Sequence, residues 1–272
     1  MKNKSILRTI SLVFLWIIPL PFLSLAYQPG GLFVYLLMGV LQACLIGAAG
    51  WAITRGNTSQ RSGETPVLTA AGLLLGSWAI VALALNMGPP PEGQQWLSTL
   101  PDQNVRYMAL ALGSLICFGG FTILAAQLCR EGRIVFASLG FASIVISTVL
   151  FALHFLVFSA LLNARFEQEL ASGISPGWWV TVSSALSFVR HVFRNGTHLG
   201  SLFFLVELWR SGRVSGIAGV AVAAVTLLTL VVGGNLIQLP PAVIFLPPYL
   251  IGVSILARFG ASANKAKGEI SA

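Results

Sequence analysis

The chain has 272 residues, of which 56% are hydrophobic and 9% are charged, and its formal net charge is +8. A soluble domain carries about 25% charged residues, so this composition excludes an ordinary soluble protein. The apolar residues form long blocks instead of the alternating segments of about 10 residues that are typical of a membrane barrel. We therefore predict an all-α integral membrane protein, in which helices satisfy every backbone polar group inside the lipid.

Eight apolar blocks follow one another along the chain, and each is long enough for a membrane span of about 17–25 residues. The blocks are Ile6–Tyr27, Gly31–Thr54, Pro66–Met87, Tyr107–Cys129, Ile134–Asn163, Trp178–Trp209, Val214–Gly234 and Pro241–Phe259. They predict one polytopic domain over residues 1–272, a bundle of eight transmembrane helices. The longest external connection, Gly88 to Arg106, contains three consecutive prolines and is predicted to form an ordered cap.

Basic residues in the connections indicate the orientation. With the N-terminus in the cytoplasm, 12 of the 16 Lys and Arg residues fall on the cytoplasmic side. Only Arg106 and Arg165 fall on the external side, and Arg190 and Arg194 lie within a block. This asymmetry follows the positive-inside rule and predicts that both termini are cytoplasmic.

Two alternatives to this threading remain open. The basic N-terminus and the apolar run ending in Ser24-Leu25-Ala26 resemble a signal peptide, whose cleavage would leave seven spans. The length of that run, with Pro19 and Pro21 inside it, favours an uncleaved first span. In the sixth block, a break at Asn195-Gly196 would produce a re-entrant hairpin and reverse all later orientations, which the charge asymmetry opposes.

The positive charge does not predict a nucleic-acid partner, because it lies mainly in short connections and no aromatic and basic module is visible. The three cysteines, Cys44, Cys117 and Cys129, have no paired spacing and predict neither a disulfide framework nor a zinc site.

A polar stripe interrupts the sixth block at Arg190, His191, Arg194, Asn195 and His198. Helical spacing places His191, Asn195 and His198 on one face and the two arginines on an adjacent face. Ionisable residues inside a membrane are costly, and by default they indicate a functional site. The stripe is therefore predicted to face the bundle interior or a water-filled cavity.

The depth of this stripe depends on how the sixth block is placed. Its 32 residues form about 48 Å of helix, whereas the hydrocarbon core is about 30 Å thick. If the span begins at Trp178, Arg190 lies near the midplane. If the span ends at Trp209, Arg190 lies at the outer edge and Arg194 lies one turn inside.

No acidic residue is placed to neutralise these two arginines. Glu207 is the only carboxylate in any block, and we expect it to pair with Arg210 or Arg213 near the inner interface. Guanidinium groups match the geometry of carboxylates and phosphates. We therefore predict that Arg190 and Arg194 bind an anionic small molecule or a lipid headgroup. The other interpretation is that they cap loop carbonyls or extend toward the membrane surface.

The histidines complete the predicted ligand-binding set. His154 in the fifth block lies within about 6 Å of the depth of His191, so it is expected to face the same site. The set is then Arg190, Arg194, His191, Asn195, His198 and His154. His191 and His198 are about 10 Å apart along a helix, too far to share a metal ion, so no metal site is predicted. A haem between His154 and His191 is geometrically allowed, although no motif accompanies it.

The sequence predicts no catalytic residue and identifies no cofactor. There is no pair of intramembrane carboxylates for hydrolysis and no nucleophile elbow around Ser183, Ser184 and Ser187. An enzymatic role is therefore the less favoured interpretation.

Several short motifs carry a resemblance in the C-terminal third. They are His198-Leu199-Gly200, Phe203-Phe204, Leu208, Ser211-Gly212-Arg213-Val214-Ser215-Gly216 and the final Ala257-Arg258-Phe259-Gly260. With them the chain resembles an uncharacterised group of bacterial multi-pass membrane proteins, known only as a domain of unknown function. Val214-Ser215 stands where that group tends to have a proline. The resemblance implies a location in the bacterial inner membrane and assigns no functional residue.

The sequence as a whole predicts a multi-pass membrane protein that binds or transports a small anionic or amphiphilic molecule at an intramembrane basic pocket. One alternative is a non-catalytic interaction or assembly subunit, whose stripe pairs with an acidic transmembrane residue of a partner protein. A second alternative is a haem-binding redox membrane protein. The sequence specifies neither the substrate nor the oligomeric state.

Overall fold

The computed structural model describes residues 2–20, 32–54, 64–87, 90–235 and 241–270, and no strand occurs among them. The all-α prediction is confirmed for these residues, because each predicted apolar block contains a long helix. Residues 21–27 of the first block, with the signal-peptide-like end at Ser24-Leu25-Ala26, lie outside the described residues. The helices are α1 (Lys2–Ile17), α2 (Leu32–Thr54), α3 (Thr65–Asn86), α4 (Gly93–Ser98), α5 (Leu100–Arg130), α6 (Ile134–Ser172), α7 (Trp178–Arg210), α8 (Gly216–Asn235) and α9 (Leu246–Ile270), and a 3₁₀ turn (Pro241–Phe245) precedes α9.

Five helical segments in the described residues are long and apolar enough to cross a membrane, which makes the chain a helical membrane protein. They are Leu36–Thr54, Thr65–Ala84, Leu100–Arg130, Ile134–Ser172 and Val243–Ala261. The apolar segments of α1 and α8 are shorter, and α7 is not among the five. The polar stripe lowers the hydropathy of α7, because it places two arginines, two histidines and an asparagine within the helix.

The last helix lies at the centre of the bundle. The apolar segment of α9 is 83% buried, and this helix packs against α1, α2, α3, α7 and α8. Tyr249 of α9 is fully buried, donates a hydrogen bond to the carbonyl of Leu15 at 2.7 Å and packs against Trp78 at 5.5 Å. The helices that surround α9 pack mainly against their neighbours in sequence.

Close backbone contact fixes α6 against α7. Gly140 of α6 faces Gly200 of α7, and a Cβ atom built on Gly200 would lie 3.0 Å from the Gly140 carbonyl oxygen and 2.8 Å from Ile144. A Cβ on Gly196 would collide with the hydroxyl of Ser147. Small residues allow this approach, and the two helices run side by side along most of α7.

We predict that Gly200→Ala destabilises the protein, because the added methyl must push α6 away from α7. Overpacking of this kind costs about 1–3 kcal/mol. The matched control is Gly72→Ala in α3, where nothing lies within 4 Å of the Cβ position. There the higher helix propensity of Ala should stabilise the protein by about 0.5–1 kcal/mol. Thermal unfolding in detergent measures both variants, and equal midpoints would contradict the proposed contact.

Ion pairs join two turns at one end of the bundle, which we call the basic end. Glu207 of α7 pairs with Arg210 and with Arg133, at 3.4 Å in each case. Arg213, in the turn after α7, forms two hydrogen bonds with Glu131, in the turn after α5. The expected pairing of Glu207 with Arg210 is present, whereas Arg213 binds a different carboxylate.

The opposite end carries the predicted cap, which is ordered over residues 90–106; Gly88 and Pro89 lie outside the described residues. Trp96 of α4 is fully buried, and its Nε1 donates to the side-chain oxygen of Asn163 at 2.6 Å. Arg106 donates to the carbonyl of Met87 at 2.9 Å, which ties the start of α5 to the end of α3.

The hydrogen bond from Arg213 lowers the pKa of the Glu131 carboxyl below its ordinary value of 4.5. A carboxylate whose pKa is lowered by folding stabilises the protein above its unfolded pKa. That stability is lost as the pH falls through the lowered pKa of the folded state. We expect Glu131→Gln to reduce stability at pH 7 and to flatten the acid side of the stability profile. Equal slopes for wild type and variant below pH 5 would contradict this, as measured by denaturant unfolding across pH.

Candidate functional site

The polar stripe lies on an unbroken helix. α7 runs from Trp178 to Arg210 and continues through Asn195-Gly196, so the re-entrant alternative is wrong. Gly196 is the position at which α7 packs on Ser147, not a helix end. The five stripe residues therefore keep the helical spacing from which their faces were predicted.

Arg190 lies in the N-terminal half of α7, the half farther from the basic end. Its guanidinium carbon is 5.9 Å from the centroid of the Phe158 ring on α6, and that ring is 6.3 Å from Tyr107 on α5. Tyr107 directly follows Arg106, at the start of the apolar part of α5. Arg194 lies about 6 Å from Arg190 along α7, in the direction of the basic end.

The side chain of Arg190 extends outward along α7. Phe193 packs against His154 at 5.3 Å and Gly196 faces Ser147, so the backbone of Arg190 lies close to the level of His154. Its guanidinium lies over Phe158 instead, one turn farther from the basic end. Side chains on a helix tilt toward the helix N-terminus, which for α7 is the end opposite the basic end. The charge is therefore displaced from the backbone toward that end.

Arg190 is half-buried, and one of its N–H donors lacks a hydrogen-bond acceptor among the described residues. Its Nε is buried without a hydrogen-bond acceptor among the described residues. None of the ion pairs in the described ranges includes it. A buried donor left without an acceptor costs about 1–3 kcal/mol, and more when it is charged. An acceptor supplied from outside the chain would remove this cost.

Arg194, one turn deeper, is held by its neighbour. Its Nε and Nη2 both donate to the side-chain oxygen of Asn195, each at the long distance of 3.4 Å. Asn195 therefore positions an arginine in this structure.

His198 joins two helices. It is 1% exposed, and its Nδ1 donates to the carbonyl of Arg194 at 2.7 Å, since a carbonyl oxygen only accepts. Its Nε2 is 2.9 Å from the hydroxyl of Thr229 on α8. Both ring nitrogens are thus occupied, so the contacts of His198 are those of a structural link between α7 and α8.

His191 lies on the outer surface of the bundle. Its side chain is exposed, and its Nδ1 is 2.7 Å from the carbonyl of Ser187. The neighbouring Phe188 and Val192 are exposed as well. The spacing that predicts a common face for His191, Asn195 and His198 holds, but their environments range from exposed to buried.

His154 is buried beside Arg190. It is 2% exposed, and neither ring nitrogen has a hydrogen-bond partner among the described residues. Its ring stacks on Phe158 at 5.4 Å and 12°, and meets Phe155 at 5.0 Å and Phe193 at 5.3 Å. Phe158 therefore contacts both the imidazole of His154 and the guanidinium of Arg190.

An aromatic cluster surrounds this pair, and the sequence analysis did not identify it. Phe151 and Phe155 of α6 pack against Phe193 of α7 at 5.0 and 6.3 Å, and Tyr107 of α5 lies 5.5 Å from Phe155. The sequence of α6 contains a pattern that predicts part of this cluster. Its phenylalanines at 151, 155 and 158 are spaced at intervals of four and three, so they share one helix face.

The structure thus brings together Arg190, His154 and, by helical spacing, Arg194. Of the other predicted site residues, Asn195 accepts hydrogen bonds from Arg194, His198 bonds to Thr229 of α8, and His191 is exposed on the surface of the bundle. His154 and His191 lie in different environments, so the geometry lends no support to a shared haem. Within the described ranges, no group of three His, Cys, Asp or Glu side chains could hold a metal ion.

No family model, no curated protein and no solved structure matches this chain. The resemblance of the C-terminal third to an uncharacterised bacterial group therefore stays a prediction.

Proposed function

We propose that the chain is a multi-pass protein of the bacterial inner membrane, in which all the helices except α4 span the bilayer and both termini are cytoplasmic. Arg133, Arg210 and Arg213 meet at one end of the bundle, whereas Arg106 and Arg165 belong to the other, in agreement with the positive-inside rule. α7 is less apolar than a typical span, but it packs along α6, whose apolarity is sufficient for crossing.

Single cysteines test this orientation. In a background without the three native cysteines, Ser175→Cys in the α6–α7 connection should react with a membrane-impermeant maleimide on intact cells. Ser215→Cys, the same substitution in the α7–α8 turn, should react only after the membrane is opened. Both serines are exposed, so accessibility to the reagent depends on the side of the membrane. The reverse labelling pattern would contradict the orientation.

We further propose that the protein binds a small anionic or amphiphilic molecule at the basic pocket around Arg190. The observation that carries this proposal is the buried Nε of Arg190, which has no acceptor among the described residues. Carboxylates and phosphates supply paired oxygen acceptors that fit a guanidinium. The outward direction of the side chain would present it to such a group at the membrane surface.

The surroundings of Arg190 favour an amphiphile over a fully hydrated ion. Phe158 and the buried His154 provide an apolar wall with two unpartnered ring nitrogens. Arg194 adds a second positive charge one turn deeper. An anionic head would lie against the guanidinium groups, and an apolar tail would lie against the exposed surface of α6 and α7.

The proposed activity in this conformation is binding, because the cavity deeper in the bundle is small. It lies among Ser147, Phe151, Thr197 and Phe245 and has a volume of about 20 Å³. That volume holds about one water molecule. Transport of a larger molecule would require the helices to separate.

The decisive variant is Arg190→Gln, which keeps a polar side chain and removes the charge. Native mass spectrometry in neutral detergent should show that wild type retains added phosphatidylglycerol over phosphatidylcholine, and that the variant loses this preference about tenfold or more. The matched control is Arg130→Gln, at an exposed position of the basic end. Equal retention by Arg190→Gln and wild type would contradict the proposed site.

A second candidate function is that of an interaction subunit, favoured by the exposed apolar face of α7. His191 lies there with Phe188, Val192 and Leu199, all exposed. A membrane protein that copurifies in a fixed ratio and is lost on His191→Leu would support this candidate. A solitary protein that carries an anionic lipid would support the first.

A further inference from the structure

A larger pocket opens at the basic end, on the opposite side of the bundle from Arg190. Its volume is about 300 Å³, at the lower limit of ordinary ligand sites. Arg213 of the α7–α8 turn and Arg258 of α9 line it, about 34 Å along α7 from Arg190. The pocket is therefore separate from the site proposed above.

The turn that forms one wall is held in place by its own hydrogen bonds. Gly212 adopts a left-handed conformation with φ of 72°, and no atom lies within 4 Å of its Cβ position. The amide of Arg213 donates to the carbonyl of Leu208 at 2.9 Å. Arg258 donates from Nε to the carbonyl of Gly212 at 3.0 Å, which links the turn to the central helix. The pocket is thus preformed.

Contacts within the protein restrict the two guanidinium groups whose residues line this pocket. Arg213 uses two of its five N–H donors on Glu131, which fixes its plane and leaves its remaining donors unassigned. Arg258 is directed by its contact with Gly212. Ligand binding would therefore cost each arginine side chain little additional conformational entropy.

The opposite wall is apolar. Val67 and Leu68 from the start of α3, together with Ile255 and Phe259 from α9, line it. Glu64 lies at the rim. A ligand that fits both walls has an anionic group for the arginines and an apolar part.

We propose that this pocket binds a phosphate group, with Arg213 and Arg258 as its donors. Basic pockets between helices at the cytoplasmic side bind the phosphates of lipid headgroups, and a soluble phosphate presents the same chemistry. A lipid source is compatible with the apolar wall, which would receive the first carbons of a chain. The proposal does not depend on the function assigned to Arg190.

The test uses the full chain in neutral detergent and two probes, inorganic phosphate and dihexanoyl-phosphatidylglycerol. Isothermal titration calorimetry measures each probe against wild type and Arg258→Gln. We expect Arg258→Gln to weaken binding about tenfold or more, because it removes a charge-assisted donor. Arg130→Gln, with the same charge change at the same end but outside the pocket, should bind within about twofold of wild type.

Leu68→Trp provides an independent variant that keeps both arginines and fills the pocket. Leu68 is only partly buried, so the change is easier to accommodate than one in the core. In a background with Arg190→Gln, which removes lipid binding at the other site, we expect Leu68→Trp to lose lipid binding while its helical circular dichroism matches that of the parent. If Arg258→Gln does not fold, Leu68→Trp tests whether the probes bind in this pocket.

The two probes separate the sources of the phosphate. Binding of the lipid alone, sensitive to Arg258→Gln, identifies a headgroup site; binding of inorganic phosphate with the same sensitivity identifies a soluble ligand. The proposal is overturned if neither probe binds, if Arg130→Gln weakens binding as much as Arg258→Gln, or if Leu68→Trp binds like wild type. Because lipid bound at Arg190 would also contribute heat, the lipid titrations are repeated in an Arg190→Gln background, where the Arg258-sensitive binding should persist. Failure here and failure at the Arg190 site are therefore distinguishable.

Discussion

The close approach of α6 and α7 determines where every polar side chain of the candidate site lies. Gly140 against Gly200 and Ser147 against Gly196 leave no space for a methyl group, so one helix cannot slide along the other without a clash. This register places Phe193 against His154 and brings the guanidinium of Arg190 over Phe158. A shift of one turn would move Arg190 away from both the aromatic ring and the imidazole.

The arginine side chains have different partners at the two ends of the bundle. At the basic end, Arg133 and Arg210 share Glu207, and Arg213 is matched with Glu131, so these charges also tie one turn to another. At the opposite end, the described residues offer Arg190 an aromatic face and no carboxylate. In the first arrangement, carboxylates of the chain itself neutralise the arginines. The second leaves a charge whose acceptor must come from water, lipid or a ligand, and this difference is the physical basis of the proposed function.

Sequence periodicity predicted the helices and the faces of the stripe, because both depend on local spacing. It could not predict burial, which depends on the neighbouring helix: His198 and His191 are seven residues apart, yet one bonds to Thr229 and the other is exposed. The pairing of Arg213 with Glu131 joins positions 82 residues apart and has no local signal.

The most direct measurement is an electron cryomicroscopy map of the chain in nanodiscs that contain its native lipids. The account predicts non-protein density within hydrogen-bond distance of the Arg190 guanidinium, at the external edge of the apolar bundle. A map in which that guanidinium is bound only by oxygen atoms of the chain itself, or is surrounded by bulk solvent, would contradict the account.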